Sequence, residues 1–222
     1  MIGENLYAPI KAQLEKLGDA LDRYGVEPLH LTLTGLLFNM LACLVFAYGH
    51  LAVGSLIVIF AALFDILDGS LARSTGKTSL LGAFLDSVID RYSDTFILGG
   101  LLIFYAGEGK IGMVILVLAA IAGAFLTSYA KARGENFIKN CSVGWVGRPE
   151  RLFIICVGGL FNLMGPAMFL LTVISHITVL QRIFFVRKNI EEKPAKPNPP
   201  PKDSPKEKIL PSSGKPNKIK TP

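Results

Sequence analysis

The sequence predicts an all-α integral membrane protein with six transmembrane helices and an N-terminal amphipathic surface helix. Two observations carry the membrane prediction. The chain of 222 residues is 51% hydrophobic, and its apolar residues fall in long runs that only Gly, Pro and short polar clusters interrupt. This pattern is typical of a polytopic membrane protein and argues against a soluble domain.

The first element is a helix too polar to span a membrane. Residues 4–23, "ENLYAPIKAQLEKLGDALDR", carry apolar side chains at helical spacing with charges between them; these are Leu6, Ile10, Leu14, Leu17 and Leu21. Such a pattern predicts an amphipathic helix that lies along the membrane surface. We assign it to residues 1–25, and "GVEP" ends it.

Six apolar segments predict the spans and define a transmembrane catalytic domain over residues 26–187. They run from about 30–48, 51–72, 82–105, 111–132, 150–163 and 166–185. Alternate connections are short and nearly uncharged, whereas the others carry most of the Lys and Arg. The positive-inside bias therefore places the basic connections, both termini and the site described below on the cytoplasmic face of the cell membrane.

The last segment, residues 188–222, is rich in Lys and Pro and has little to bury. It predicts a disordered cytoplasmic tail. A solvated tail and a weak attraction to anionic lipid headgroups are both compatible with its charge.

Four aspartates interrupt the apolar pattern in "DILDGSLARSTGKTSLLGAFLDSVID". Asp65 and Asp68 are three residues apart on the second span, and Asp86 and Asp90 are four apart on the third. Each pair shares a helix face, so two helices can present four carboxylates to one site. Hard divalent cations relieve the repulsion, and four ligands suit two ions of Mg²⁺, with Mn²⁺ possible. Structural ion pairs with nearby Arg are the alternative.

Small and cationic residues between the aspartates indicate the ligand. Gly69, Ala72 and Gly82 leave room for a bulky group against the helices, and Arg73 provides a planar cation suited to phosphate oxygens. Together with metal, they favour a site for a nucleotide diphosphate.

The pattern D-x2-D-G-x2-A-R-x8-G-x3-D-x3-D, from Asp65 to Asp90, resembles the signature of the CDP-alcohol phosphotransferase family. The resemblance implies that an alcohol hydroxyl attacks the β-phosphate of a CDP-linked donor and releases CMP. It implies that Asp65, Asp68, Asp86 and Asp90 hold the metals. It also implies that Asp90 is the general base and therefore the catalytic residue.

The same resemblance implies a set of residues that bind the CDP donor. They are Leu29, Thr32, Asp65, Asp68, Gly69, Ala72, Arg73, Ser79 and Gly82. Thr32 and Gly35 lie in "PLHLTLTG", which fits the family's P-[ND]-x2-T-x2-G pattern except at Leu29. Because Leu29 replaces Asn or Asp, only backbone contacts are expected there.

Two basic stretches predict the acceptor. "SYAKARGENF" contains Lys131 and Arg133, and "GRPERL" contains Arg148 and Arg151. Four cations at the mouth of one cavity would suit a phosphorylated alcohol, although they could be ordinary topological anchors. The stretches resemble segments of the family branch that makes phosphatidylinositol phosphate or archaetidylinositol phosphate, which implies inositol 1-phosphate as acceptor.

Other readings stay open at this stage. The acceptor could be another alcohol, glycerol 3-phosphate first, and the lipid of the donor could be CDP-diacylglycerol or CDP-archaeol. An ion or metal transporter that uses the aspartates is a different class, although Arg73 would repel a permeating cation. A non-catalytic lipid-binding relative would be expected to lose an aspartate. The resemblance further suggests a homodimer among membrane lipids, and we expect no nucleic-acid partner.

Overall fold

The computed structural model describes Arg23 and residues 25–191, and all regular structure in this part of the chain is helical. The helices are α1 Pro28–Ala47, α2 Leu51–Ser74, α3 Leu80–Gly107, α4 Ile111–Gly134, α5 Arg148–Leu160 and α6 Met164–Glu191. The predicted surface helix lies almost wholly outside the described residues, as does the tail beyond Glu191. Helix α6 includes residues 188–191, which the sequence analysis assigns to the tail.

Four of the six described helices, α1, α2, α4 and α6, are long and apolar enough to cross a membrane. Helix α3 is long, but its first 15 residues carry Asp86, Asp90, Arg91 and Asp94. Helix α5 has 13 residues, about 20 Å at 1.5 Å per residue, which is shorter than a bilayer core of about 30 Å. The prediction of an all-helical membrane protein is confirmed, whereas six crossings stay a prediction.

Three tight turns join the helices in pairs, and each contains a residue with positive φ. The turns after α1, α3 and α5 contain Gly49 (φ 82°), Gly109 (φ 67°) and Asn162 (φ 55°). Gly and Asn adopt this left-handed conformation most readily, which explains why the chain reverses at these points. The two longer connections, residues 75–79 and 135–147, lie at the opposite end of the helix pairs.

The helices close into a ring of neighbours. Helix α1 packs on α2 and α3, α4 packs on α3 and α6, and α5 packs on α2 and α6. Apolar side chains fill the interior, and fully buried examples are Phe46, Ile97, Leu101, Met168 and Leu171. Helix α3 approaches α1 closely at Gly100, where a Cβ would lie 2.4 Å from the carbonyl oxygen of Cys43.

Many large apolar side chains face outwards. Leu37 and Leu44 on α1 are 63% and 58% exposed, and Phe153 on α5 is 69% exposed. An apolar outer surface of this kind is what a lipid environment stabilises. The four aspartates lie at the end of the ring away from the tight turns, where α2 ends and α3 and α5 begin.

Candidate active site

A cavity of about 220 Å³ lies between the first turns of α1, the end of α2 and the start of α3. It brings together eight of the nine residues predicted to bind the CDP donor: Leu29, Thr32, Asp68, Gly69, Ala72, Arg73, Ser79 and Gly82. Asp86 also lines this cavity, whereas Asp65 does not. Eight of the nine residues predicted from the sequence to bind one ligand therefore line one cavity in the fold. We call this space the donor cavity.

Helix α1 holds Asp68 in position. The hydroxyl of Thr32 donates to Asp68 Oδ2 at 2.6 Å, and both side chains are buried. The same hydroxyl lies 3.1 Å from the carbonyl oxygen of Pro28. A short hydrogen bond to a buried carboxylate fixes its rotamer, so Asp68 presents its other oxygen in a defined direction.

Glycine keeps the wall of the donor cavity open beside Arg73. A Cβ at Gly69 would lie 3.2 Å from Arg73 Nη1, so the guanidinium rests against the helix backbone. Across the cavity, Ser79 precedes α3, and its Oγ accepts a hydrogen bond of 2.9 Å from Gly82 N. This cap fixes the start of the helix that carries Asp86 and Asp90.

Asp65 and Asp90 face each other across a guanidinium. Arg148, the first residue of α5, donates through Nη1 to Asp65 Oδ2 and lies 2.5 Å from Asp90 Oδ1. The carboxylates are 20% exposed and the arginine side chain 16%. One cation thus offsets two carboxylates from different helices at the entrance to the site.

The carboxylates fit divalent cations by their chemistry. Asp68 and Asp86 line the donor cavity, while Asp65 and Asp90 already hold a cation, the Arg148 guanidinium. Arg148 Nε is buried and finds no hydrogen-bond partner among the described residues. As the side chains are placed in the described part of the chain, no three acidic, His or Cys groups converge on one point. Binding a metal there would require the guanidinium to move.

The predicted acceptor cations do not form one cluster. Arg151 is 4% exposed and lies 2.6 Å from Asp94 Oδ2, so it is part of a buried ion pair. Lys131 and Arg133 are exposed at the end of α4, where the Arg133 guanidinium carbon lies 5.3 Å from the centroid of the Phe137 ring. Of these four cations, Arg148 contacts two of the predicted metal ligands, Asp65 and Asp90.

Sequence reasoning missed two charged residues near the site. Asp94 lies one turn after Asp90 on α3 and is buried against Arg151. Arg182, a charged residue inside the sixth predicted span, is buried in α6 and donates from Nε to the Val143 carbonyl oxygen at 2.8 Å. The spacing of Asp94, four residues after Asp90, was the available signal for the first residue.

An apolar groove of about 580 Å³ runs between α2 and α5 and ends at the carboxylates. Its walls are apolar residues such as Val58, Leu63, Leu152 and Phe153, and its polar end is formed by Asp65, Asp90 and Arg148. We call it the α2–α5 groove. The donor cavity therefore reaches Asp68 and Asp86, and the α2–α5 groove reaches Asp65 and Asp90, so that each space is lined by one pair of the four aspartates.

Comparison with known families supports the resemblance. The family model described as CDP-alcohol phosphatidyltransferase matches residues 26–186. The chain is 36% identical to the archaetidylinositol phosphate synthase of Pyrococcus horikoshii, over 82% of this chain and 95% of that protein. It is also 36% identical to a phosphatidylinositol phosphate synthase of Mycobacteroides abscessus, over 77% of this chain and 82% of that protein.

Solved structures show the same fold. Phosphatidylinositol phosphate synthase of Mycobacterium tuberculosis with CDP-diacylglycerol bound superposes with a TM-score of 0.75 at 32% identity, covering 82% of this chain and 98% of that chain. The same enzyme in complex with manganese and citrate gives a TM-score of 0.76, covering 82% and 93%.

Proposed function

The chain belongs to the CDP-alcohol phosphatidyltransferase family, and from that premise we propose that it transfers a phosphatidyl-type group from a CDP-linked lipid to inositol 1-phosphate. The products would be CMP and a phosphoinositol phosphate lipid. Family membership favours an enzyme of this class over the ion transporter considered from the sequence. The synthases of Pyrococcus horikoshii and Mycobacteroides abscessus support the choice of inositol phosphate.

The observation that carries the proposal is that the donor cavity and the α2–α5 groove are each lined by two of the four aspartates. A CDP-linked lipid has a polar nucleotide, a pyrophosphate and apolar tails, in that order. The donor cavity suits the nucleotide and the groove suits the tails. The pyrophosphate would then lie beside Asp65, Asp68, Asp86 and Asp90, where the reaction requires it.

In this arrangement Asp90 removes the proton from the acceptor hydroxyl. The hydroxyl oxygen bonds to the β-phosphorus, the bond from that phosphorus to the oxygen of CMP breaks, and CMP leaves with the electron pair. Arg73 lies where it would hold phosphate oxygens of the nucleotide. When bound, divalent ions supply neutralisation of the pyrophosphate charge, and Asp65, Asp68, Asp86 and Asp90 would hold them. We propose two ions, Mg²⁺ or Mn²⁺; a manganese complex of the Mycobacterium tuberculosis enzyme supports a divalent metal.

The acceptor would approach from the side of α5. Its phosphate needs cations, and Arg148 is partly exposed at the aspartates. Lys131 and Arg133 lie on the exposed end of α4, from which their long side chains would complete the pocket. We propose that this end of the bundle faces the cytoplasm, with six crossings, an amphipathic helix before residue 26 and a homodimeric assembly.

The proposal is tested by CMP release from purified protein with Mg²⁺ and CDP-diacylglycerol or CDP-archaeol. Inositol 1-phosphate, glycerol 3-phosphate, inositol and serine are offered separately, and mass spectrometry identifies the lipid product. We expect release with inositol 1-phosphate. Release with glycerol 3-phosphate alone would keep the chemistry and replace the acceptor. Release with neither phosphorylated alcohol, but with inositol or serine, would contradict the proposed acceptor pocket.

A further inference from the structure

Asp94 is a buried carboxylate that the predicted reaction does not use. It lies on α3, 6% exposed, one turn after Asp90. Its Oδ2 lies 2.6 Å from Arg151 Nη2, and its Oδ1 lies 3.8 Å from Arg148 Nε. Both oxygens therefore face the two arginines of α5. A carboxylate buried in a membrane protein is costly unless it is paired, and Asp94 is paired.

Arg151 connects Asp94 to the next helix. Its Nη1 donates to Thr127 Oγ1 on α4 at 3.3 Å, and the Thr127 hydroxyl donates to the carbonyl oxygen of Ala124 at 2.9 Å. The carbonyl oxygen of Thr127 accepts a hydrogen bond from Arg182 Nη1 on α6. Four helices, α3, α5, α4 and α6, are thus joined at one level by buried polar contacts.

This network fixes the first turn of α5. Arg148 and Arg151 are three residues apart and share a helix face. Because α5 begins at Arg148, few backbone hydrogen bonds hold that residue. The cap at Gly147, whose N donates to Glu150 Oε2 at 2.8 Å, is exposed. Two ion pairs attach this turn to α3, and the Asp94–Arg151 pair is more deeply buried than the Arg148–Asp90 pair.

The geometry points to Asp94 as a positioning residue that acts through Arg151 and Arg148 on the phosphate of the acceptor. Anchoring Arg151 sets the rotation of α5, and this rotation places the Arg148 guanidinium beside Asp65 and Asp90. Asp94 Oδ1, 3.8 Å from Arg148 Nε, attracts the same guanidinium on the side away from Asp65 and Asp90. This inference rests on the proposed function and adds a specificity role for a residue outside the signature.

The donor cavity provides the contrast that makes the role testable. Its lining residues lie on α1, α2, the connection at 75–79 and the start of α3, and Asp94 is not among them. A positioning role on the acceptor side should change binding of the acceptor and leave binding of CDP nearly unchanged. A purely structural role would lower thermal stability and affect both ligands or neither.

The experiment compares Asp94→Asn, Asp94→Glu and the double variant Asp94→Asn/Arg151→Gln with the wild type in detergent and Mg²⁺. Loss of a residue that orients a ligand-binding group costs about 10–100-fold, so we expect the KM for inositol 1-phosphate to rise by that factor in Asp94→Asn. CDP affinity, from calorimetry, should change less than twofold. The double variant should be no worse than Asp94→Asn, and Asp94→Glu, which keeps the charge, should be intermediate.

Binding of inorganic phosphate, followed by ³¹P NMR line broadening, separates this test from the proposed acceptor. Asp94→Asn should weaken phosphate binding even if the wild type uses another phosphorylated alcohol. Glu108→Gln is the control, because it removes an exposed pair, Glu108–Lys110 at 3.5 Å, at the opposite end of α3 from the aspartates. Unchanged phosphate binding and acceptor KM in Asp94→Asn, with or without lower thermal stability, would overturn the inference. So would a wild type that binds no phosphate. If Asp94→Asn does not fold, equal phosphate affinity and equal acceptor KM in Asp94→Glu and the wild type would overturn the inference.

Discussion

The two sides of the candidate active site differ in how much of them the sequence shows. The donor side combines the first turns of α1 with α2, α3 and the short connection between them, and most of its residues lie within 30 positions of one another. The acceptor side combines α4, α5 and α6, whose relevant residues are separated by long stretches of chain. Local spacing therefore predicts the donor cavity, whereas tertiary packing decides the acceptor side. Four experiments test this difference, from the largest expected effect to the smallest.

Asp90→Asn should have the largest effect because it removes the proposed base from the junction of the two sides. General-base catalysis contributes about 10²–10⁴-fold to rate, so kcat should fall by that factor or more. The donor cavity, which Asp90 does not line, should keep its affinity for CDP. The rate of CMP release and calorimetric binding of CDP measure these quantities.

Glu108→Gln is the matched control for that variant. Glu108 follows the other end of α3, where it lies 3.5 Å from Lys110 in an exposed pair. Removing it should leave kcat unchanged. Full activity of Asp90→Asn would contradict the assigned mechanism, and loss of CDP binding would show that Asp90 belongs to the donor side.

Arg148→Gln should raise the affinity for Mn²⁺. The guanidinium rests on two of the four predicted metal ligands, so it competes with a metal for Asp65 and Asp90. Removing one nearby positive charge should tighten binding by about 10–100-fold. Electron paramagnetic resonance of free Mn²⁺ gives the affinity without turnover.

Arg133→Gln provides the comparison, because the contact recorded for Arg133 is with the Phe137 ring rather than with a carboxylate. Its Mn²⁺ affinity should match the wild type. Weaker Mn²⁺ binding in Arg148→Gln would mean that the arginine supports the metal ligands instead of competing for them.

Gly69→Val should weaken CDP binding. The new Cβ would lie 3.2 Å from Arg73 Nη1, so the guanidinium would have to shift, and the added side chain would fill part of the donor cavity that Gly69 lines. Overpacking of this kind costs about 1–3 kcal/mol, or about 5–150-fold in affinity. Gly99→Val is the control, because a Cβ there meets no atom within 4 Å. Equal CDP affinities in the two variants would remove Gly69 and Arg73 from the nucleotide site.

Leu29→Asn should have the smallest effect, and in the opposite direction. Leu29 lines the donor cavity and is 40% exposed, at a position where the family pattern has Asn or Asp. One added hydrogen bond contributes about 0.5–1.5 kcal/mol, so CDP affinity should improve about 2–10-fold. Leu33→Asn, on the same helix but outside the cavity lining, should give no gain. A lower CDP affinity in Leu29→Asn would show that leucine is already the better residue here.

Particular residues show where prediction from the sequence reached its limit. The spacing of the four aspartates predicts one acidic face on each of two helices. Because the connection between these helices is short, the two faces are expected to lie close together. The sequence pattern predicts one role for Arg148 and Arg151 because the two are close in the chain. The structure pairs Arg151 with Asp94, a partner 57 positions away that no local pattern indicates.

For the helices, too, local sequence predicts the bounds but not the contacts that depend on tertiary packing. Apolar periodicity and the turn residues Gly49 and Gly109 predict most helix bounds within a few residues. Hydropathy could not show that Arg182 is buried, because a charged side chain near a helix end is normally exposed. Its partners are the carbonyl oxygens of Thr127 on α4 and Val143 in the connection 135–147, which become available only when both segments pack against α6.

The most direct test of the difference between the two sides is the ratio of kcat/KM for inositol 1-phosphate to that for inositol, in the wild type and in Arg148→Gln. If the acceptor side selects the phosphate through Arg148 while the aspartates perform the transfer, the ratio should be large in the wild type. It should fall about 10–100-fold in Arg148→Gln, mainly through the acceptor KM. An equal ratio in the two proteins would contradict the division of the site into a donor side and a phosphate-selecting side.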